Sequence, residues 1–322
     1  MDPRSSNLVQ EVEWEERGLE DSEEPTLVVP FEIGEKRDIP EVDLPPAQAK
    51  VLCIASGKGG TGKTTFTTNL AIALQKEGLR VLVVDGDFGL ANDHLLLGLE
   101  PKGDIGDVLA GRKDIRDILL TGPEGIKLLP GGVGLSDLST MEGYELKSLA
   151  RDIGCLEPDF DMILVDLAAG VSPQIMRFLR PAHEVMLVTN SEVTALLDAY
   201  GLIKCLAAWK GEGGLDLHIV QNRVKDKNDA VLSMKKLRRV VDKHLSGVRL
   251  TFDGYIPFDR YLLHSIAIQE PAVISHPRSF VTACLKGIAH KVFHRYRSWA
   301  KAQESDSAAI SYFAYLERQS HE

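Results

Sequence analysis

The chain has 322 residues, 44% hydrophobic and 26% charged, proportions that exclude a disordered or fibrous protein and provide for a sizeable core. No apolar run approaches the roughly 18 residues of a membrane-spanning helix, and the opening MDPRSSNLVQEVEWEE is acidic where a secretory signal is basic and then apolar. The expectation is a cytoplasmic protein, and the four dispersed cysteines, Cys53, Cys155, Cys205 and Cys284, fit thiols of a reducing compartment, with no CxxC pair and no zinc-finger histidines.

Net charge is −10, yet residues 1–50 hold 14 acids against 5 bases while residues 51–322 hold 33 against 32. The acidity therefore sits in a leader, residues 1–49, broken by Pro3, Pro25, Pro30, Pro40, Pro45 and Pro46. Residues 1–24 read as largely disordered, LVVPFEI (27–33) as a candidate edge strand, and DLPPAQ (43–48) as the final linker. Two roles stay open for this leader, a solubilising tail and a partner-binding segment.

From Lys50 onward, β-branched runs alternate with helical patterns. The strand candidates are 51–56, 81–85, 126–130, 161–166, 184–190, 217–222 and 248–256, several separated by segments long enough for crossover helices. This order predicts one α/β domain over residues 50–303: a doubly wound, mostly parallel sheet with helices on both faces.

The first strand runs into Ser56-Gly57-Lys58-Gly59-Gly60-Thr61-Gly62-Lys63-Thr64-Thr65, followed by the helical pattern 66–78. The segment fits G-x-x-x-x-G-K-[ST], a P-loop. Glycines Gly57, Gly59, Gly60 and Gly62, with Thr61, let backbone N–H groups curl around phosphate oxygens at a helix N-terminus. Lys63 then reaches the β and γ phosphates, Thr64 offers a hydroxyl to Mg²⁺, and Thr65 bonds the α phosphate.

Lys58 adds information, because an ordinary P-loop needs no cation near its start. KGGTGKT resembles the deviant Walker A motif of the MinD/ParA ATPases. The resemblance implies a P-loop NTPase fold, ATP and Mg²⁺ as ligands, and an ATP-bound homodimer in which Lys58 reaches the partner's phosphates. It further implies that Asp87, after the strand ending in Asp85-Gly86, orients the attacking water, while Asp85 orders the Mg²⁺ shell. Asp166, closing MILVD, matches the aspartate that holds Mg²⁺ through water, and Gly170 the γ-phosphate sensor. Asn222 matches the adenine-contacting asparagine, with Pro257 and Asp259 lining the base's other side; the guanine-reading N-K-x-D pattern is absent.

Longer segments, among them DGDFGLAND, DLAAGVSPQIMRFL and GYIPFDRYLLHSIAIQEP, resemble the branch of this family that regulates flagellar number and placement. The resemblance spans about residues 50–300 and implies slow, partner-stimulated ATP hydrolysis, with a flagellar GTPase or assembly component as partner. Departures exist: His94 in Asn92-Asp93-His94 stands where the family carries an acid, and Leu167-Ala168 follows Asp166 where a hydroxyl residue is common. The alternative reading is a DNA-associated, ParA-like cargo positioner, for which Lys235, Lys236, Arg238, Arg239 and Lys243 would supply a basic helix face; a solvated face is favoured over nucleic-acid binding.

Residues 271–303 carry six Lys and Arg residues and no acid. Val281, Leu285, Ile288, Val292, Tyr296 and Trp299 share one side of a helical wheel, and packing on the sheet is favoured over a bilayer. The tail, residues 304–322, offers Ile310, Phe313 and Leu316 as an amphipathic segment expected to touch anionic membrane weakly and only in the dimer.

Overall fold

The computed structural model describes residues 46–87, 91–132, 143–210, 214–305 and 309–319, all within the compact unit Pro40–Glu322. The expected edge strand at 27–33 lies outside the described residues.

Among the described residues, eight strands form one sheet: β1 (Lys50–Ser56), β2 (Val81–Gly86), β3 (Leu120–Thr121), β4 (Lys127–Leu129), β5 (Met162–Ala169), β6 (Glu184–Thr189), β7 (Leu215–Val224) and β8 (Val248–Pro257). Their order is β3-β4-β2-β5-β1-β6-β7-β8. Every pairing is parallel except β3 with β4. The central strands β1, β2 and β6 are buried throughout their length, as expected where helices cover both faces. The two-residue strand β3 was not among the expected strands; it is too short to show alternation and exists only by pairing with β4.

The helices are α1 (Lys63–Lys76), α2 (Asp93–Leu96), α3 (Ile105–Leu109), α4 (Gly143–Gly154), α5 (Pro173–Leu179), α6 (Val193–Lys210), α7 (Lys227–His244), α8 (Arg260–Ala267), α9 (Ala272–Ser275), α10 (Phe280–Ser305) and α11 (Tyr312–Gln319). One core packs α1, α9 and α10 on one face of the sheet, with Phe66, Leu70, Leu285, Ile288 and Val292 at its centre. The other packs α4, α5, α6, α7 and α11 on the opposite face. The apolar side of α10 is thus spent on the sheet, as the wheel pattern predicts.

At the amino-terminal ends of β1 and β6, α10 is also tied down by charge. Glu184 accepts from Lys50 Nζ at 2.6 Å and from Arg295 Nη2 at 2.6 Å. Arg295 also donates to Asp253 at 2.7 Å and 3.1 Å, and His218 Nδ1 lies 3.2 Å from the same carboxylate. Burial pushes the Glu184 carboxyl up, but Lys50 and Arg295 more than offset this and hold it below its ordinary value.

The tail corrects an expectation. Phe313 and Leu316 are each 1% exposed, packed in the core beside Tyr312, so they have no apolar surface left for a membrane. Polar contacts fix the register: Tyr312 Oη donates to Phe178 O at 2.8 Å, Ser311 Oγ to Glu157 at 2.7 Å, and Arg151 pairs with Glu317 at 3.1 Å. His183 joins the tail to the sheet. Its Nδ1 accepts the Val51 N–H at 2.9 Å, so Nε2 carries the proton donated to Ile310 O at 3.1 Å. Burial holds this imidazole down at about 4, well into the neutral form at pH 7. The expected linker is likewise engaged: Pro46 bridges Ile310, and the Ala47 N–H donates to Ala309 O at 2.9 Å. Among the described residues no helix is long and apolar enough to cross a membrane.

Candidate functional site

The P-loop connects the carboxyl end of β1, the sheet's central strand, to α1. This is the switch point of the topology, since β5 and β2 lie on one side of β1 and β6 on the other. Gly62, at the N-cap of α1, has φ 84°, left-handed backbone that a glycine adopts without strain. A Cβ on Gly57 would lie 2.3 Å from the Asp198 backbone of α6, so close packing demands glycine there too.

Behind the loop, parallel register sets Asp85 of β2 directly beside Asp166 of β5. Both side chains are buried. Lys63 Nζ donates to Asp166 Oδ1 at 2.9 Å, and Thr67 Oγ1, one turn further along α1, donates to the same oxygen at 3.0 Å. Burial pulls the Lys63 ammonium down, but Asp166's charge and hydrogen bond prevail and raise it. Asp85 is pushed up to about 7, first by burial and then by Asp166, against the Asp87 and Asp93 amides that donate to it at 3.2 Å each. The expected metal ligands Asp85, Asp166 and Thr64, the last in the first turn of α1, therefore gather around the P-loop lysine. Asp87 follows β2 half-buried, its N–H on Asp85.

Several expected residues do something in this structure that sequence does not show. Asn222 Nδ2 donates to Thr61 O at 2.7 Å, and Arg223 Nη1 to Gly60 O at 3.1 Å. The end of β7 thus clamps two P-loop carbonyls. The Gly170 N–H donates to Ser56 O at 2.9 Å. Asp259 caps α8 through the Tyr261 N–H at 2.7 Å, and Pro257 closes β8. Lys58 lies on its own chain, its Nζ 3.1 Å from Glu192 and 2.8 Å from Thr194 Oγ1, and its side chain is 39% exposed. Glu192, Thr194, Thr67, Arg223 and Asp93 were missed from sequence. Thr67 alone left a signal, lying one helical turn after Lys63.

Three polar groups are left over: Asp166 Oδ2, both oxygens of Asp93, and Thr61 Oγ1 are buried without hydrogen-bond partners. Donor N–H groups at a helix N-terminus, a lysine and surplus carboxylate oxygens are what a phosphate chain with a hard, oxygen-seeking cation requires. The CobQ/CobB/MinD/ParA nucleotide binding domain matches residues 52–270. The chain belongs to this family.

Relatives include one solved with a nucleotide and magnesium. Antiactivator FleN of Pseudomonas aeruginosa is 35% identical over 243 residues, 76% of this chain and 86% of that protein. The flagellum site-determining protein YlxH of Helicobacter pylori is 32% identical over 208 residues, 64% of this chain and 69% of that protein. The septum site-determining protein MinD of Pyrococcus horikoshii, solved with Mg-ADP, superposes with a TM-score of 0.62 at 29% identity, covering 76% of this chain and 96% of that one. ATP and Mg²⁺ are the ligands of this MinD-type ATPase. Lys63 and the α1 N-terminus are the groups that would hold the phosphates, and Thr64, Asp85 and Asp166 those that would hold the ion. Mg²⁺ held there would offset negative charge on the phosphates.

Proposed function

We propose that the protein is a switch that dimerises on ATP and resolves to ADP-bound monomers, and that it regulates flagellar number or placement. The pathway rests on the similarity to FleN and to the flagellum site-determining YlxH. The switch rests on one observation: a second lysine, Lys58, stands at the P-loop's start without serving its own site. Glu192 and Thr194 hold its ammonium at an exposed edge in the single chain. Leaving them for a partner's phosphates exchanges a weak, solvent-screened pair for a charge-assisted contact with a polyanion. Val193 and Leu197 are 70% and 55% exposed on α6 beside this lysine, apolar surface of the kind a partner covers.

Hydrolysis is slow in this reading, and Asp87 orients the attacking water. Gly170 reads that phosphate by releasing its N–H from Ser56 O. Asn222 keeps its hold on Thr61 while it borders the base, with Pro257 and Asp259 on the other side. A stimulating protein, such as a flagellar GTPase or assembly component, sets the rate.

Two variants test the division of labour. Lys63→Ala is expected to weaken ATP binding at least 100-fold in calorimetry. Lys58→Ala is expected to change monomer affinity less than about threefold while abolishing the ATP-dependent dimer in light scattering. Equal loss of affinity in both variants overturns the trans role of Lys58.

A further inference from the structure

Asp93 is the least expected acid in the site. It opens α2, is 0% exposed, and neither carboxylate oxygen has a hydrogen-bond partner. Its surroundings are those of the nucleotide site: Asp166, Asp85 and Asp87 act on its carboxyl as like charges and Lys63 as the opposite one. Its backbone N–H lies on Asp85 Oδ2, which fixes the start of α2 against the end of β2.

A structural role does not explain the side chain. A helix-capping acid bonds an amide of the first turn, as Asp104 does for α3 by accepting from the Asp107 N–H at 3.2 Å. The α2 N-cap is Asn92, and the Asp93 carboxyl bonds no amide. A salt bridge would neutralise it, but the nearby cation, Lys63, is already committed to Asp166. A carboxylate taken out of water with none of its oxygens satisfied is among the costliest arrangements in a protein interior unless something else arrives to meet it.

We infer that Asp93 is a third carboxylate of the Mg²⁺ site, acting through water. Mg²⁺ gives up its waters reluctantly and is held by few direct protein ligands. Waters of the bound ion donate hydrogen bonds to acids around it, and such outer partners orient the shell and strengthen the ion's grip. Asp93 offers four lone-pair positions for such donors, beside Asp85 and the free Oδ2 of Asp166. The consequence is specific: Asp93 matters for the ion and hardly for the nucleotide alone. Without Mg²⁺ the buried carboxyl has nothing to offer the phosphates; with Mg²⁺ it reinforces the complex.

This assignment deepens the nucleotide-site reading and is independent of the dimer and of the pathway. The experiment is calorimetric titration of ADP into full-length protein, once with EDTA and once with MgCl₂, for wild type, Asp93→Asn and Asp93→Val. Asparagine keeps the shape and removes the charge; valine removes the polar atoms altogether, so circular dichroism of both controls for folding. The Mg²⁺-dependent gain in ADP affinity is expected to fall about tenfold in both variants, with affinity in EDTA equal to wild type or higher. An unchanged Mg²⁺-dependent gain in either folded variant overturns the assignment. An equal loss with and without Mg²⁺ also overturns it, because Asp93 would then shape the loop rather than serve the ion. Wild-type binding in EDTA reports on the nucleotide site by itself, so a failure there is distinguishable from a failure of Asp93.

Discussion

The two ends of the sheet each bury a group of acids, and they treat them in opposite ways. At the amino-terminal end, Glu184 and Asp253 share Arg295 while Lys50 pairs with Glu184 and His218 lies against Asp253, so two cations, Arg295 and Lys50, match two acids. Their ligand atoms and that of His218 lie within 4.8 Å of one another, yet Arg295 and Lys50 already supply the positive charge a metal would bring. At the carboxyl end, Asp85, Asp93 and Asp166 face Lys63, and oxygens remain unsatisfied. Burial and acid content alone do not tell a structural cluster from a binding site. The shortfall of positive charge does, because burial and the charge of Asp166 then push Asp85 up to about 7 and carboxylate oxygens are left for an incoming cation.

The tail belongs to the matched end, since His183 and Val51 tie Ile310 to the start of the sheet. Deleting residues 307–322 strips Tyr312, Phe313 and Leu316 from the core and is expected to cost more than about 5 kcal/mol, since one Phe→Ala change in a core costs about 3–5. Urea unfolding measures this, with Phe313→Ala as the milder variant. The intact protein is expected not to sediment with anionic vesicles in ATP any more than in ADP. A truncated protein of wild-type stability would return the tail to the surface.

The charge clusters themselves separate under mutation. Arg295→Met leaves two buried acids short of their shared partner and is expected to destabilise by about 3–5 kcal/mol, with Mg·ADP affinity of the folded protein unchanged. Asp166→Asn is expected to do the reverse, lowering Mg·ADP affinity about 10- to 100-fold with a smaller shift in the urea midpoint. If Arg295→Met weakens nucleotide binding as strongly, the two ends are not independent.

The smallest effect is one of pH. His183 is held down at about 4 in the fold against an ordinary 6.5, so over that interval the unfolded chain binds the extra proton and the folded one does not. Its contribution is complete above about pH 6.5 and is lost as pH falls toward 4. A His183→Gln variant should show a flatter dependence of unfolding free energy on pH between 4 and 6.5. An unaltered slope would place the titration elsewhere.

Much of the nucleotide site was legible because local rules write it. A strand, a glycine loop and a helix start are contiguous, and Asp85 and Asp166 each end an apolar run, so the parallel sheet brings them side by side. What was not legible depends on distant partners. Ile310, Phe313 and Leu316 have the spacing of a membrane-touching helix and of a core helix alike; Phe178 and Glu157 draw Phe313 and Leu316 into the core, while Ile310 stays exposed ahead of α11 with its carbonyl on His183. Asn222 gives no hint in sequence that it braces Thr61. Asp93 reads as an ordinary first-turn acid until its burial is seen.

The pairing of Pro46 with Ile310 sets the segment that leads into β1 beside the segment that leads into α11. Cutting the tail before Ala309 therefore takes a partner from the segment that enters β1, and the loss is expected to loosen the start of that strand as well as the core.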